Sequence, residues 1–314
     1  MEFFKDIRLG MLYDRFIQNQ NAGAIPEGVK KRHADGLFRR IKSLDIPTLI
    51  RLGDRGVAGY LVPGKLVDES LMHCKMLEEW ADKYGPCLPK ELDKKRGLTC
   101  VRHYQRWIKY QAKGTEAPKI SGDYMKDGKI AEDFFVRTKF LWTEARKWFP
   151  KHHCCRIYRD QSIIKGVAKG LCDLWMGCAI NISVDRPVET SPHRDLKGFE
   201  RGFSVLSAFG SFSGGALILW ELEAVVELKA GDLFYFRDNL INHSNEEAHG
   251  RRHSVVAFTD AEVWKWVKKE IGLRDDRSDR LKARRMAYCM RGAEQDQSEK
   301  ISGVGGIGAG LRRV

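Results

Sequence analysis

The spacing of hydrophobic positions along this chain changes near residue 155. Before that point apolar residues recur at helical intervals. The segment AEDFFVRTKFLWTEARKWF (131–149) carries Phe134, Phe135, Leu141, Ala145 and Trp148 close to one helical face. VDESLMHCKMLEEWADKYG (67–85) reads as a second helix, with Asp68 as its N-cap and Gly85 as its stop. Residues 1–150 are thus expected to form a mostly helical, basic region packed on the core. From 155 onward the pattern shortens to strand length, over 176–184, 203–210, 216–220, 225–229, 233–236 and 252–259. Gly210, Gly214-Gly215, Ala230-Gly231-Asp232 and Asp238-Asn239 punctuate these runs. So many short strands in about a hundred residues predict a jelly roll or related barrel over 151–272. AEVWKWVKKEIG (261–272) predicts a closing helix, and the expected fold class is α+β. Residues 273–314 are basic and end in SGVGGIGAGLRRV, with almost nothing to bury, so partial disorder is expected there.

Charge adds a partner class. The 314 residues carry 55 Lys and Arg against 42 Asp and Glu, a formal net charge of +13. Such a balance favours a polyanion, nucleic acid before acidic membrane. Basic runs stand at Lys30-Lys31-Arg32, Arg39-Arg40 and Lys94-Lys95-Arg96. No segment approaches the roughly 18 apolar residues that span a bilayer, and the N-terminus has no secretory apolar run. The eight cysteines show no C-x-x-C spacing, which points to reduced thiols and a nuclear or cytoplasmic, non-secreted protein. His152-His153-Cys154-Cys155 has the composition of a zinc site. On an extended strand, however, adjacent side chains point to opposite faces and do not converge.

The candidate chemistry begins at SPHRDLKGF (191–199). His193-Arg194-Asp195 matches the start of a protein-kinase catalytic loop, yet the Asn required five residues after the Asp is Glu200, and no Gly-rich loop or Asp-Phe-Gly accompanies it. The same residues supply His-x-Asp, two metal ligands on one face of an extended stretch. Non-haem ferrous iron is held by two His and one carboxylate, leaving open positions for cosubstrate and oxygen. His243, in DNLINHSNEE, is the second His, with His249 as its rival in a polar loop. A dicarboxylate cosubstrate such as 2-oxoglutarate also needs a cation for its far end, best a bidentate Arg. Arg252 lies nine residues after His243. On an alternating strand Arg252, Ser254, Val256, Phe258 and Asp260 share the inner face, with Arg251 and His253 facing out.

These residues, in "SPHRDLKG…FSGGALIL…KAGDLFYFRDNLINHSNEEAHGRRHSVVAFT", resemble the TET/JBP group of Fe(II)/2-oxoglutarate DNA oxygenases, in particular its short fungal-type members. The resemblance covers about 176 to 260. It implies a double-stranded β-helix core, iron held by His193, Asp195 and His243, and 2-oxoglutarate held by Arg252 with Ser254. Asn181 and Arg186 are candidates for the keto-acid end. It also implies oxidation of the 5-methylcytosine methyl group in DNA to hydroxymethyl and further products, with O2 as oxidant and ascorbate as a stimulant. Such enzymes flip the target base from the duplex. Phe258 stands where the family stacks that base. Asp260 and Gly198 occupy positions where relatives carry a His and an Asn or Asp. These departures leave N6-methyladenine, or an RNA base, open as substrate. A hydroxylase of protein or small molecules, and a DNA-binding module with an inactive barrel, are the competing readings. A monomer is expected.

Overall fold

The computed structural model describes residues 5–9, 25–52, 56–89, 91–93, 97–109, 115–183 and 190–273. Arg186, the run Lys94-Lys95-Arg96 and residues 274–314 lie outside them, so the expectations placed on these have no structural counterpart here. In chain order the described strands are β1 (Lys5–Leu9), β2 (Arg39–Lys42), β3 (Thr48–Leu52), β4 (Val57–Val62), β5 (Glu91–Asp93), β6 (Gly97–Trp107), β7 (Lys119–Ile120) and β8 (Gly177–Ile182). They continue with β9 (Ser204–Phe209), β10 (Phe212–Gly214), β11 (Leu217–Leu219), β12 (Ala224–Glu227), β13 (Leu233–Phe236), β14 (His243–Asn245), β15 (Ala248–Gly250) and β16 (His253–Phe258). The helices are α1 (Glu27–Ala34), α2 (Ser70–Tyr84), α3 (Gly122–Asp127), α4 (Lys129–Lys147), α5 (Cys155–Ala168) and α6 (Ala261–Glu270).

Two sheets face each other. The large one runs β1-β3-β4-β13-β9-β16-β8-β6-β5, with β7 paired to β6; the small one runs β14-β11-β12-β2. Pairing is antiparallel except for β1 with β3 and β2 with β12. Ile50, Leu61, Leu206, Phe234 and Phe236 of the large sheet meet Leu217, Leu219, Ala224 and Val226 of the small one between them. The outer face of the large sheet is covered by α2 and α4, whose Leu77, Trp80, Phe134, Leu141 and Ala145 pack with Trp175, Tyr235, Val255 and Ala257. A sheet buried on both faces needs few polar positions, and all six residues of VAGYLV in β4 are buried.

Every strand expected between 176 and 259 is present within two residues of its predicted ends, as are the helices α4 and α6. The mostly helical N-terminal region is not. That region contributes β1 to β7 as well as helices, and β4 pairs directly with β13. The reason lies in β6. In TCVRHYQRW the buried residues Cys100, Arg102 and Tyr104 alternate with more exposed ones, a period of two. The strand looks polar because its buried arginine is neutralised inside the fold: Arg102 Nε lies 3.1 Å from Asp127, which also accepts from the Tyr104 hydroxyl at 2.6 Å. At α2 the N-cap residue is Glu69, in a left-handed conformation (φ 56°), and Asp68 pairs with Lys147 instead of capping.

Candidate active site

Two short strands on opposite sheets carry the site. β14 belongs to the small sheet and pairs with β11, so His243 lies opposite Leu219 and Asn245 opposite Leu217. The loop ahead of β9 runs alongside β14, and His193 and His243 exchange backbone hydrogen bonds of 3.0 and 2.9 Å. This bridge brings the imidazoles to 4.4 Å between ring centroids. Asp195 is held next to them by its N–H, which donates to the Asp238 carbonyl at 3.1 Å. One ligand atom from each of His193, Asp195 and His243 lies within 4.8 Å of the other two. Among the described residues no other group of three His, Cys, Asp or Glu gathers in this way, so His152, His153, Cys154 and Cys155 form no metal site.

Both imidazoles are oriented by their own loops. Nδ1 of His193 donates to the Ser191 carbonyl at 2.8 Å, and Nδ1 of His243 to the Ile241 carbonyl at 2.9 Å. A carbonyl accepts only, so Nδ1 of each ring carries a proton and Nε2 is the atom that can face a metal. Phe236 meets His243 edge-on at 5.1 Å. Glu221, buried, accepts from the Asn242 N–H at 2.7 Å and from Asn242 Nδ2 at 2.6 Å, which anchors the loop just before His243. Burial pushes the Glu221 carboxyl up to about 7.

The large sheet supplies the facing wall. On β16, Ser254, Val256 and Phe258 line a cavity of about 1100 Å³ that also contains the three candidate ligands. Arg252, one residue before the strand, shares their face and the cavity and is 2 % exposed. Burial alone draws its guanidinium down to about 10, and among the described residues no carboxylate pairs with it. With the Asn245 amide oriented to suit its neighbours, Oδ1 accepts from both terminal guanidinium nitrogens of Arg252 at 3.0 Å, and Nδ2 donates to Thr190 at 2.8 Å. Arg252 Nε has no partner among the described groups, and neither does Oδ1 of Asn181, which lies opposite Ser254 on β8. Nδ2 of Asn181 donates to the Ser254 hydroxyl at 3.3 Å. Gly215 makes room for the arginine: a Cβ there would lie 2.5 Å from Arg252 Cδ.

The remaining predicted residues fall at the other end of the cavity. Phe258, with His103 edge-on at 6.4 Å, and Asp260 both line it. Burial raises the Asp260 carboxyl to about 6. Asp260 precedes α6 but makes no side-chain cap bond. At Gly198 a Cβ would sit 3.0 Å from the Asp195 carbonyl and 3.2 Å from Asn239 Cβ, so a side chain there would be tight. The exposed His249 lies on β15, away from the candidate ligands. His253 does not face solvent as the strand parity suggested. It points to the opposite side of the sheet, which the helical layer buries, stacks on Phe209 at 5.1 Å, and accepts from the Ser183 N–H at 3.0 Å. The basic runs on α1 and β2 are used within the fold, since Arg32 pairs with Glu223, and Arg40 with Glu227 and Glu246.

Asn245, Thr190 and Glu221 were not anticipated. The sequence held a signal for one of them: His243-x-Asn245 repeats the same-face spacing of His193-x-Asp195. Nothing in the sequence marks Thr190 or Glu221, whose roles depend on contacts between distant segments.

No known family's sequence profile matches this chain, and no curated protein does. Among the described residues no helix is long and apolar enough to cross a membrane. Solved structures are similar to part of this chain. One is NgTET1 in complex with 5mC DNA, 14 % identical, with a TM-score of 0.49 over 72 % of this chain and 83 % of that one. A 2OG-Fe(II) oxygenase family oxidoreductase from Burkholderia pseudomallei is 14 % identical, with a TM-score of 0.37 over 64 % and 83 %. The viral collagen prolyl hydroxylase of Paramecium Bursaria Chlorella virus-1 is 11 % identical, with a TM-score of 0.34 over 64 % and 95 %.

Proposed function

We propose that this chain is an Fe(II)/2-oxoglutarate-dependent dioxygenase that oxidises the methyl group of 5-methylcytosine in DNA. One observation carries the reading. A buried arginine with no anionic partner among the described residues faces the same cavity as a converged set of two His and one Asp. A buried guanidinium without a counter-charge is costly, and a bound carboxylate would remove that cost. Imidazoles presenting Nε2 beside a carboxylate suit a divalent iron. Ferrous iron with 2-oxoglutarate, when bound, supplies the oxygen activation that an unactivated methyl C–H bond demands.

The protein's own residues do the rest. His193, Asp195 and His243 hold the metal. Arg252 and the Ser254 hydroxyl grip the far carboxylate of the cosubstrate, and Asn245 fixes the plane of the guanidinium. The unpaired Oδ1 of Asn181 faces the same end. Phe258 offers a ring for the target base to stack on, and Asp260 accepts from its edge. Arg156, Lys197 and Lys268 around the cavity, with the net charge of +13, favour a phosphate backbone over a neutral substrate.

The test is incubation with duplexes carrying 5-methylcytosine or N6-methyladenine, and with methylated RNA, in the presence of iron, 2-oxoglutarate and ascorbate, followed by mass spectrometry of the nucleosides. Hydroxymethylcytosine from DNA is the expected product, absent with His193→Ala. A changed adenine or RNA base would move the substrate within the same chemistry. Succinate release without any altered base would move it to protein or a small molecule. No succinate release from the metal-loaded protein would leave a DNA-binding module.

A further inference from the structure

Part of the cavity wall comes from β6, a strand outside the core in which the sequence places the chemistry. Two cross-strand registers define it. Gln105 on β6 pairs with Gly177 on β8, and Gly177 pairs with Phe258 on β16. Residues directly opposite on neighbouring strands point to the same face, so Gln105 and Phe258 flank Gly177 on the cavity side. Two strand spacings separate them, about 10 Å between backbones. Gly177 contributes no side chain between them, and none would fit, since its Cβ would lie 2.2 Å from both Cα and Cβ of Gln105. The Gln105 stem occupies that space itself. Gln105 and Phe258 line the same cavity.

Gln105 Oε1 is buried, lines the cavity and accepts no hydrogen bond among the described residues. A buried carbonyl oxygen without a donor costs about 1–3 kcal/mol, and one that lines a cavity is open to a donor on whatever fills it. His103, two residues earlier on the same face, packs its ring edge-on against Phe258 and holds that platform from the β6 side.

Resting on the nucleic-acid reading above, we propose that Gln105 is a specificity-determining residue whose Oε1 accepts a hydrogen bond from the exocyclic amino group of a base stacked on Phe258. It selects an aminated, planar heteroaromatic ring. A ring of the same shape without that amino group leaves Oε1 unpaired and is disfavoured.

The test compares binding of two duplexes, one with a single 5-methylcytosine and one with 5-methylpyrimidin-2-one, which lacks only the amino group. Mn(II) and 2-oxoglutarate are present so that no turnover intervenes. Wild-type protein is expected to prefer 5-methylcytosine by about ten-fold or more. Gln105→Leu, of similar size but without an acceptor, lowers the preference by about three-fold or more, leaving the share that Asp260 contributes, and Gln105→Glu, which keeps an acceptor, preserves most of it. Each preference is a ratio within one variant, so a loss of folded protein does not mimic the result. A wild-type protein without preference, or a Gln105→Leu variant that keeps it, overturns the assignment. Oxidation is read separately on the same duplexes. Discrimination without oxidation retains Gln105 and removes the dioxygenase reading; oxidation without discrimination removes Gln105 alone.

Discussion

Asn245 lies two residues beyond His243 on β14 and holds both terminal nitrogens of Arg252 at 3.0 Å. One three-residue strand thus reaches the candidate metal with its first side chain and the candidate cosubstrate cation with its last. The arrangement fixes the guanidinium with a neutral acceptor, which leaves the positive charge available for an incoming carboxylate.

That neutrality is testable. Asn245→Asp would give Arg252 a resident carboxylate that competes with 2-oxoglutarate. We expect the dissociation constant for 2-oxoglutarate to rise by about ten-fold or more in Asn245→Asp, and only by about two- to five-fold in Asn245→Ala. Calorimetric titration of the metal-loaded protein measures both. An aspartate variant that binds as tightly as wild type would show that Arg252 does not receive the cosubstrate.

Metal stoichiometry tests the three ligands without reference to turnover. His193→Ala, Asp195→Ala and His243→Ala should each weaken Fe(II) or Mn(II) binding by about 100-fold or more while leaving the circular dichroism spectrum unchanged. A chelator should remove activity, and added Fe(II) should restore it. Metal binding at wild-type strength in any of the three variants would remove that residue from the ligand set.

Gly215 has φ +65° and lies against Arg252. Gly215→Ala should destabilise the fold by about 1–3 kcal/mol through backbone strain and displacement of the buried arginine. The same displacement should weaken 2-oxoglutarate binding by about ten-fold or more. Urea unfolding and ligand titration on one preparation give the two numbers.

His253 predicts an acid-sensitive fold. Burial, with Arg251 nearby, lowers its imidazole from 6.5 to about 4. The group is neutral when folded and binds a proton more readily when unfolded. Its contribution is therefore complete above about pH 6.5 and is lost as pH falls toward 4, on the order of 3 kcal/mol across that window. His253→Gln keeps an acceptor for the Ser183 N–H but does not titrate. Denaturant midpoints at pH 7 and 4.5 should converge for the variant and stay apart for wild type.

The second half of the fold was legible because its strands are apolar, short and separated by glycine turns. His193, Asp195, His243, Arg252 and Ser254 were legible because same-face spacing follows from backbone geometry alone. β6 was hidden by its own chemistry. Arg102 is buried against Asp127, so a strand enclosed in the fold reads as a charged, exposed segment. Thr190, Glu221 and Gln105 escaped for a different reason: each acquires its meaning from a neighbour far away in sequence, where spacing rules do not extend, whereas Asn245 carried a same-face signal two residues after His243.

β13 and β8 bound the four-strand segment β13-β9-β16-β8, and both are sealed by strands encoded before residue 150, β4 on one flank and β6 on the other. A gene fragment starting at residue 151 would therefore produce a sheet with two raw edges, one of them the wholly apolar Leu233–Phe236. Unpaired apolar edges recruit other chains, so the expected fate of that fragment is a precipitate, and the leading half of the polypeptide acts as the chaperone that the trailing half carries with it.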